Sequence, residues 1–98
     1  MTYSDAINVN GVVLVEFYAS WCPHCKRMMP VVEQVRELLA DKLAVYQFDI
    51  DENQATADAQ GVKSIPTFII YKSGLEQWRH TGEVDGEALL GRLESALG

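Results

Sequence analysis

The stretch Val12-Val13-Leu14-Val15-Glu16-Phe17-Tyr18-Ala19-Ser20-Trp21-Cys22-Pro23-His24-Cys25-Lys26 decides how the rest of the chain is read. Its first seven residues, Val12–Tyr18, are continuous, β-branched and aromatic, the composition of a strand buried on both faces. From Pro23 onward the period changes. Met28, Val31, Val32, Val35, Leu38 and Leu39 recur at helical spacing, which predicts an amphipathic helix over Pro23–Ala40. Pro23 suits the first helical position, where its missing N–H costs nothing. Pro30 falls in the interior and should kink the helix. At the junction stand the two cysteines of the chain, Cys22 just before the helix and Cys25 in its first turn.

Outward from this stretch, Leu43–Ile50 reads as a second apolar strand. Asn53–Gln60 reads as a short Ala-rich helix that Gly61 is placed to end. Thr67–Tyr71 is a third strand, and Ser73-Gly74 is a tight hairpin signal. Leu75–Thr81 alternates polar and apolar residues, which suits an antiparallel strand near an edge. Asp85 can cap a final helix whose apolar face is Leu89, Leu90, Leu93, Ala96 and Leu97. The order is β-α-β-α-β-β-α, and a right-handed crossover makes the first two strands parallel. An α/β fold around a mixed sheet follows.

Ninety-eight residues are expected to make one domain, 1–98, large enough to bury roughly 60–70% of its unfolded surface without a disulfide or metal. Fourteen Asp and Glu against eight Lys and Arg give a net charge of −6. That argues against nucleic acid, whose binding rests on neutralising phosphates with cations, and against an anionic membrane surface. The apolar runs Val12–Val15 and Thr67–Tyr71 are far short of a spanning helix. Met1-Thr2-Tyr3-Ser4-Asp5 shows neither a basic nor an apolar leader region, so the expected compartment is the cytoplasm.

A Cys22–Cys25 bridge would close a loop worth only about 2 kcal/mol by chain entropy, against about 4.7 kcal/mol for a loop of ~100 residues. As a staple it is a poor choice, so the pair reads first as reactive or metal-binding. Zinc usually takes four ligands, and the further candidates are only His24 and His80, so no metal is expected. The alternative of a non-redox binding module that keeps the pair inert or metal-filled stays open. Redox chemistry is favoured by position, because unpaired N–H groups and the positive end of the macrodipole favour a thiolate at a helix start. Cys22 stands just before the helix and Cys25 one turn in, so one can attack a substrate disulfide and the other resolve the mixed disulfide. Trp21 is read as a groove residue, Trp78 as packing, His80 as a solvated edge residue and Lys26-Arg27 as a solvated helix face.

With Trp21-Cys-x-x-Cys25-Lys26, interior Pro30, Asp49-Ile50-Asp51, Ser64-Ile65-Pro66-Thr67, Gly74 and Gly82 in place, the chain resembles the thioredoxin family from Ser4 to Leu97. The resemblance implies a thioredoxin fold and a thiol–disulfide oxidoreductase, with Cys22 the exposed nucleophile and Cys25 the resolving thiol. It implies a cis Ile65–Pro66 bond against the disulfide. It also implies a substrate groove of Trp21, Ile65, Pro66, Thr81 and Gly82 that offers free backbone groups to an extended cysteine peptide. No cofactor beyond the cysteine pair is implied. The implied partners are disulfide-bearing proteins and an NADPH-dependent thioredoxin reductase, and the expected state is a monomer.

Four departures shape the expectations. Pro23-His24 stands where thioredoxins carry Gly-Pro, and Pro-His is the dipeptide of the periplasmic oxidase DsbA. An imidazolium near Cys22 favours the reduced form and so a more oxidising couple, placed between about −270 and −120 mV. A general reductase with such a potential is the leading expectation, and an oxidase or isomerase the alternative. Glu16 replaces a buried Asp behind the cysteines. It should have a raised pKa and could relay a proton to or from Cys25. Gln47 replaces a Lys near that acid and removes a cation that would help hold Glu16 ionised. Finally, the first edge strand is lacking. About four strands are therefore expected, with Leu43–Asp49 an edge covered by Met1–Tyr3 or by a partner.

Overall fold

A computed structural model describes residues 1–98. In chain order the elements are α1 (Tyr3–Ile7), β1 (Val12–Tyr18), α2 (Pro23–Leu38), β2 (Leu43–Asp49), α3 (Gln54–Ala59), β3 (Thr67–Lys72), β4 (Leu75–Thr81) and α4 (Gly86–Leu97). The four strands form one mixed sheet in the order β2-β1-β3-β4. β1 pairs with β2 in parallel and with β3 antiparallel, and β3 pairs with β4 antiparallel. This is the thioredoxin fold expected from the sequence, with strands and major helices within two residues of their predicted ends.

Strand parity divides the core into two layers. Val12 and Leu14 of β1 join Phe68 and Ile70 of β3 beneath Met28, Val32 and Val35 of α2 and Leu89 and Leu93 of α4. Val13, Val15, Phe17, Ile69 and Tyr71 face the other way, against Ala57 of α3 and Tyr3 and Ile7 of α1. All of β1 except Tyr18 is buried, as a strand covered by helices on both faces must be. Glu16 shares the parity of Val12 and Leu14, so its carboxylate is carried to the α2 side.

Three differences from the sequence expectations have local causes. α1 was not anticipated, because five residues are too short to show a helical period. Its start is nonetheless encoded in a capping box, with Asp5 N–H donating to the Thr2 hydroxyl and Thr2 N–H to the Asp5 carboxylate. The N-terminal residues do not pair with the β2 edge. Instead Tyr3 lies on the sheet face, with its ring 5.8 Å from Phe17 and 5.3 Å from Phe48, and shares a hydroxyl hydrogen bond of 2.6 Å with Tyr71. Pro30 lies inside α2 as expected, and the helix continues past it to Leu38. On the other edge, Trp78 packs as expected, but His80 is half-buried rather than solvated. Its ring stacks on Trp78 at 5.7 Å and its Nε2 lies 3.0 Å from the Glu83 carbonyl.

The β3–β4 hairpin turns on Ser73 (φ 51°) and Gly74 (φ 81°), both in the left-handed region as a two-residue type I′ turn requires. A Cβ at Gly74 would also run into the side chain of Asn8, the residue that caps the end of α1. Gly74→Ala is therefore expected to lower the unfolding free energy by about 1–2 kcal/mol from backbone strain, with a further loss from the Asn8 contact. Urea unfolding of Gly74→Ala with and without Asn8→Ala separates the two, because only the contact loss is recovered in the double variant.

Candidate active site

β1 ends at Tyr18, and Ala19-Ser20-Trp21 carry the chain to the start of α2. Cys22 is the N-cap of that helix, and its Sγ accepts the Cys25 backbone N–H at 3.4 Å. The sulfur thus takes the place usually held by the side-chain oxygen of Ser, Thr, Asp or Asn. Pro23 follows in the first turn, where no donor is lost. Both cysteines are free thiols.

Exposure of Cys22 is corrected by the structure. Only 5% of its surface is accessible, close to the 3% of Cys25. The reason is a neighbour far away in sequence: the Cys22 thiol faces the Ile65 carbonyl at 3.9 Å, and Ile65, Tyr18 and Ile50 pack around the two cysteines and Ala19. The Ile65–Pro66 bond is cis. Thr67 anchors this segment, with its hydroxyl donating to the Ser64 carbonyl at 2.6 Å and lying 3.2 Å from the Thr81 hydroxyl.

Of the residues expected to form a groove, Ile65 faces Cys22 and Pro66 bonds to Gly82, which corrects one expectation. Gly82 N–H is not free, because it donates to the Pro66 carbonyl at 2.7 Å. Trp21 is 61% exposed although its indole N–H donates to Asp51 at 2.9 Å. Its ring is therefore presented to solvent in a fixed orientation. Thr81 is exposed, Ile65 and Gly82 are half-buried, and Pro66 is covered.

Behind the cysteines, Glu16 is 2% exposed and accepts one side-chain hydrogen bond, from Gln47 Nε2 at 2.9 Å. Glu16 and Gln47 are direct partners in the β1–β2 register, which brings them to the same face of the sheet. Both line a cleft of about 510 Å³ together with Cys25, Lys26, Met29, Tyr18, Ala19 and Ser20. Burial raises the Glu16 pKa, and the Gln47 hydrogen bond opposes that rise. Burial, then the hydrogen bond with Cys22, pushes the Cys25 thiol up to about 12. Reading Gln47 only as a missing cation overlooked its second contact: its Oε1 accepts from Arg36 Nη2 at 2.8 Å.

His24 also has partners that sequence reading missed. Its Nδ1 lies 2.7 Å from Glu83 Oε2 and 2.8 Å from Arg27 Nη2, and Arg27 Nε donates to the same Glu83 oxygen at 2.9 Å. Arg27 is therefore not a freely solvated helix residue. A guanidinium only donates and a carboxylate only accepts, so Nδ1 cannot serve both at once. Protonated, it donates to Glu83, and unprotonated, it accepts from Arg27. His24, then Arg27, holds the Glu83 carboxyl below its ordinary range.

Burial of Glu16 has a thermodynamic sign that can be checked. A carboxyl whose pKa is higher folded than unfolded makes the folded state bind more protons, so its contribution to stability falls as pH rises through the folded pKa. Glu16→Gln is thus expected to be more stable than the native chain at neutral pH. The advantage should vanish as pH falls toward the unfolded carboxyl range. Thermal unfolding of both proteins from pH 4 to pH 8 tests this, and a gain that grows toward acid would contradict it.

A profile of the family described as Thioredoxin matches residues 1–95. The chain is 39% identical over 85 residues to the chloroplastic thioredoxin Y of Oryza sativa subsp. japonica, covering 87% of this chain and 51% of that protein. It therefore spans about half the length of that relative. With the thioredoxin of Alicyclobacillus acidocaldarius it is 38% identical over 95 residues, covering 97% of this chain and 90% of the other. A solved thioredoxin variant from Halobacterium salinarum NRC-1 superposes with a TM-score of 0.88 at 39% identity, covering 97% of this chain and 82% of that one. The sheet order, the cysteine pair at the helix start and these matches over nearly all of its residues make the chain a member of the thioredoxin family.

Proposed function

We propose that residues 1–98 act as one domain that exchanges electrons with protein disulfides through the Cys22–Cys25 pair, with no cofactor besides that pair. The observation that carries this reading is the helix cap: the Cys22 sulfur receives a backbone N–H at the positive end of α2, where a thiolate is stabilised. Cys22 attacks one sulfur of the substrate disulfide, forming a mixed disulfide and releasing the other sulfur, which takes a proton from solvent. Cys25 then attacks the Cys22 sulfur and the second substrate thiolate leaves. Two electrons pass to the substrate, and Cys22–Cys25 becomes the disulfide.

Cys25 holds its proton at neutral pH, so its attack needs a base. Glu16, on the same cleft, is assigned that role: its carboxylate takes the Cys25 proton as the sulfur attacks. Trp21, Ile65, Pro66, Thr81 and Gly82 are assigned to hold an extended segment of the substrate beside Cys22. Because Gly82 N–H is already engaged, the groove relies on apolar contact with Trp21 and on its remaining backbone groups. Disulfide-bearing proteins as substrates, a thioredoxin reductase drawing on NADPH as electron donor, a monomeric state and a cytoplasmic location complete the reading; family membership supports the substrates and the reductase.

Pro23 and His24 are assigned to tune the couple. An imidazole two residues from Cys22 would favour the reduced form whenever it carries a proton, so the potential should lie above the ≈ −270 mV of thioredoxin and below the ≈ −120 mV of DsbA. General reduction is the leading direction. The second reading, an oxidase or isomerase, is favoured by the same dipeptide, whose His24 Nδ1 lies 2.7 Å from the Glu83 carboxylate.

Insulin reduction driven by dithiothreitol tests the chemistry. Cys22→Ser should abolish turnover, Cys25→Ser should accumulate mixed disulfide, and Glu16→Gln should slow the resolving step by about 10²-fold at neutral pH. Normal activity in Cys22→Ser would end the redox reading. Equilibration in glutathione buffers tests the direction: a potential near ≈ −180 mV or above would turn the assignment to oxidase or isomerase.

A further inference from the structure

A buried carboxylate is tolerated only if donors replace its lost water. Glu16 receives its side-chain donor from Gln47, an amide that presents either two N–H groups or an oxygen depending on how it is turned. Arg36 removes that freedom. A guanidinium has no acceptor, so the end of the amide facing Arg36 Nη2 at 2.8 Å must be Oε1. The N–H end is then obliged to face Glu16, and an N–H there matches the ionised carboxylate. Without Arg36 the amide can turn and offer its oxygen to a protonated Glu16, which stabilises the neutral acid instead.

Arg36 is itself held in place. Its Nη1 donates to the Val45 carbonyl at 3.2 Å on the β2 strand, and its Nε donates to Glu33 at 3.3 Å. The three residues come from α2, β2 and β1, so the chain of hydrogen bonds crosses from exposed helix to buried strand. We propose that Arg36 is a positioning residue that acts through Gln47, fixing the direction of the Arg36–Gln47–Glu16 chain so that Glu16 stays a proton-accepting carboxylate beside Cys25. The missing Lys is thereby replaced by a cation one side chain further away. This rests on the assignment of Glu16 as the base for Cys25. Other groups facing Glu16 are Cys25 and Lys26 of α2 and Tyr18 of β1, all on the same cleft. From β3 the register partner is the apolar Phe68.

The test is the titration of the Glu16 carboxyl carbon, followed by NMR in the reduced protein. Both Arg36→Met and Gln47→Leu should move it to higher pH. The double variant should move it no further than Gln47→Leu alone, because Arg36 then has no path to the acid. Gln47→Lys in the Arg36→Met background should return it toward the native position. The pH profile of the resolving step should shift upward in parallel, with a several-fold loss of rate at neutral pH. In the native protein the Gln47 Nε2 protons should shift with the Glu16 titration, a readout that needs no variant. An unmoved Glu16 titration in Arg36→Met, or an equal movement in the Gln47→Leu background, would overturn the proposal. Should Glu16→Gln leave the pH profile of resolution unchanged, the base assignment fails, while the titration still decides whether Arg36 acts through Gln47.

Discussion

Burial of β1 on both faces is the constraint from which the rest follows. A central strand flanked by β2 and β3 can be covered above and below only by helices, and the alternation of its side chains fixes which residues meet which helices. Leu14 goes to α2 and α4, whereas Val15 and Phe17 go to α1 and α3. Glu16 is the single charged residue in this strand. Placing it on the α2 side puts a carboxylate under the helix that begins with the cysteines. An apolar residue there would pack at lower cost, so the position is difficult to explain by stability alone.

The same strand delivers the chain to the start of α2 at a defined point, and the sulfur of Cys22 becomes part of the helix cap rather than a group beside it. That one sulfur meets two demands: it satisfies a backbone donor and it faces the Ile65 carbonyl across the site. Its small accessible surface narrows the direction from which another sulfur can approach. Ile65 stands against Cys22, and the adjoining Pro66 is tied to Gly82 just beyond the register partners Thr67 and Thr81.

Features set by local pattern were legible in the sequence. The strand Val12–Tyr18 has a composition that only a doubly covered strand tolerates, α2 announces itself by its period, and Asp85 caps α4 through the Ala88 N–H as its position suggested. What was not legible depends on contacts between distant residues. The partner of His24 is Glu83, and the acceptor for Arg36 on β2 is reached only once helix and edge strand are side by side. Each of these depends on side chains too polar to carry a hydrophobic period and too far apart to form a motif. α1 is the intermediate case: Thr2 and Asp5 have capping-box spacing, but five residues give no period to support it.

The Asp51 hydrogen bond to the Trp21 indole has a consequence for the cost of any contact made on that ring. A large aromatic ring left loose at a surface must be immobilised when a partner arrives, at about 0.5–1.5 kcal/mol for a side chain with freedom to lose. Here the ring is already oriented before any encounter, with its face open and its polar edge occupied. Whatever packs on that face meets a ring already ordered, so part of the cost of fixing it falls on folding and not on contact.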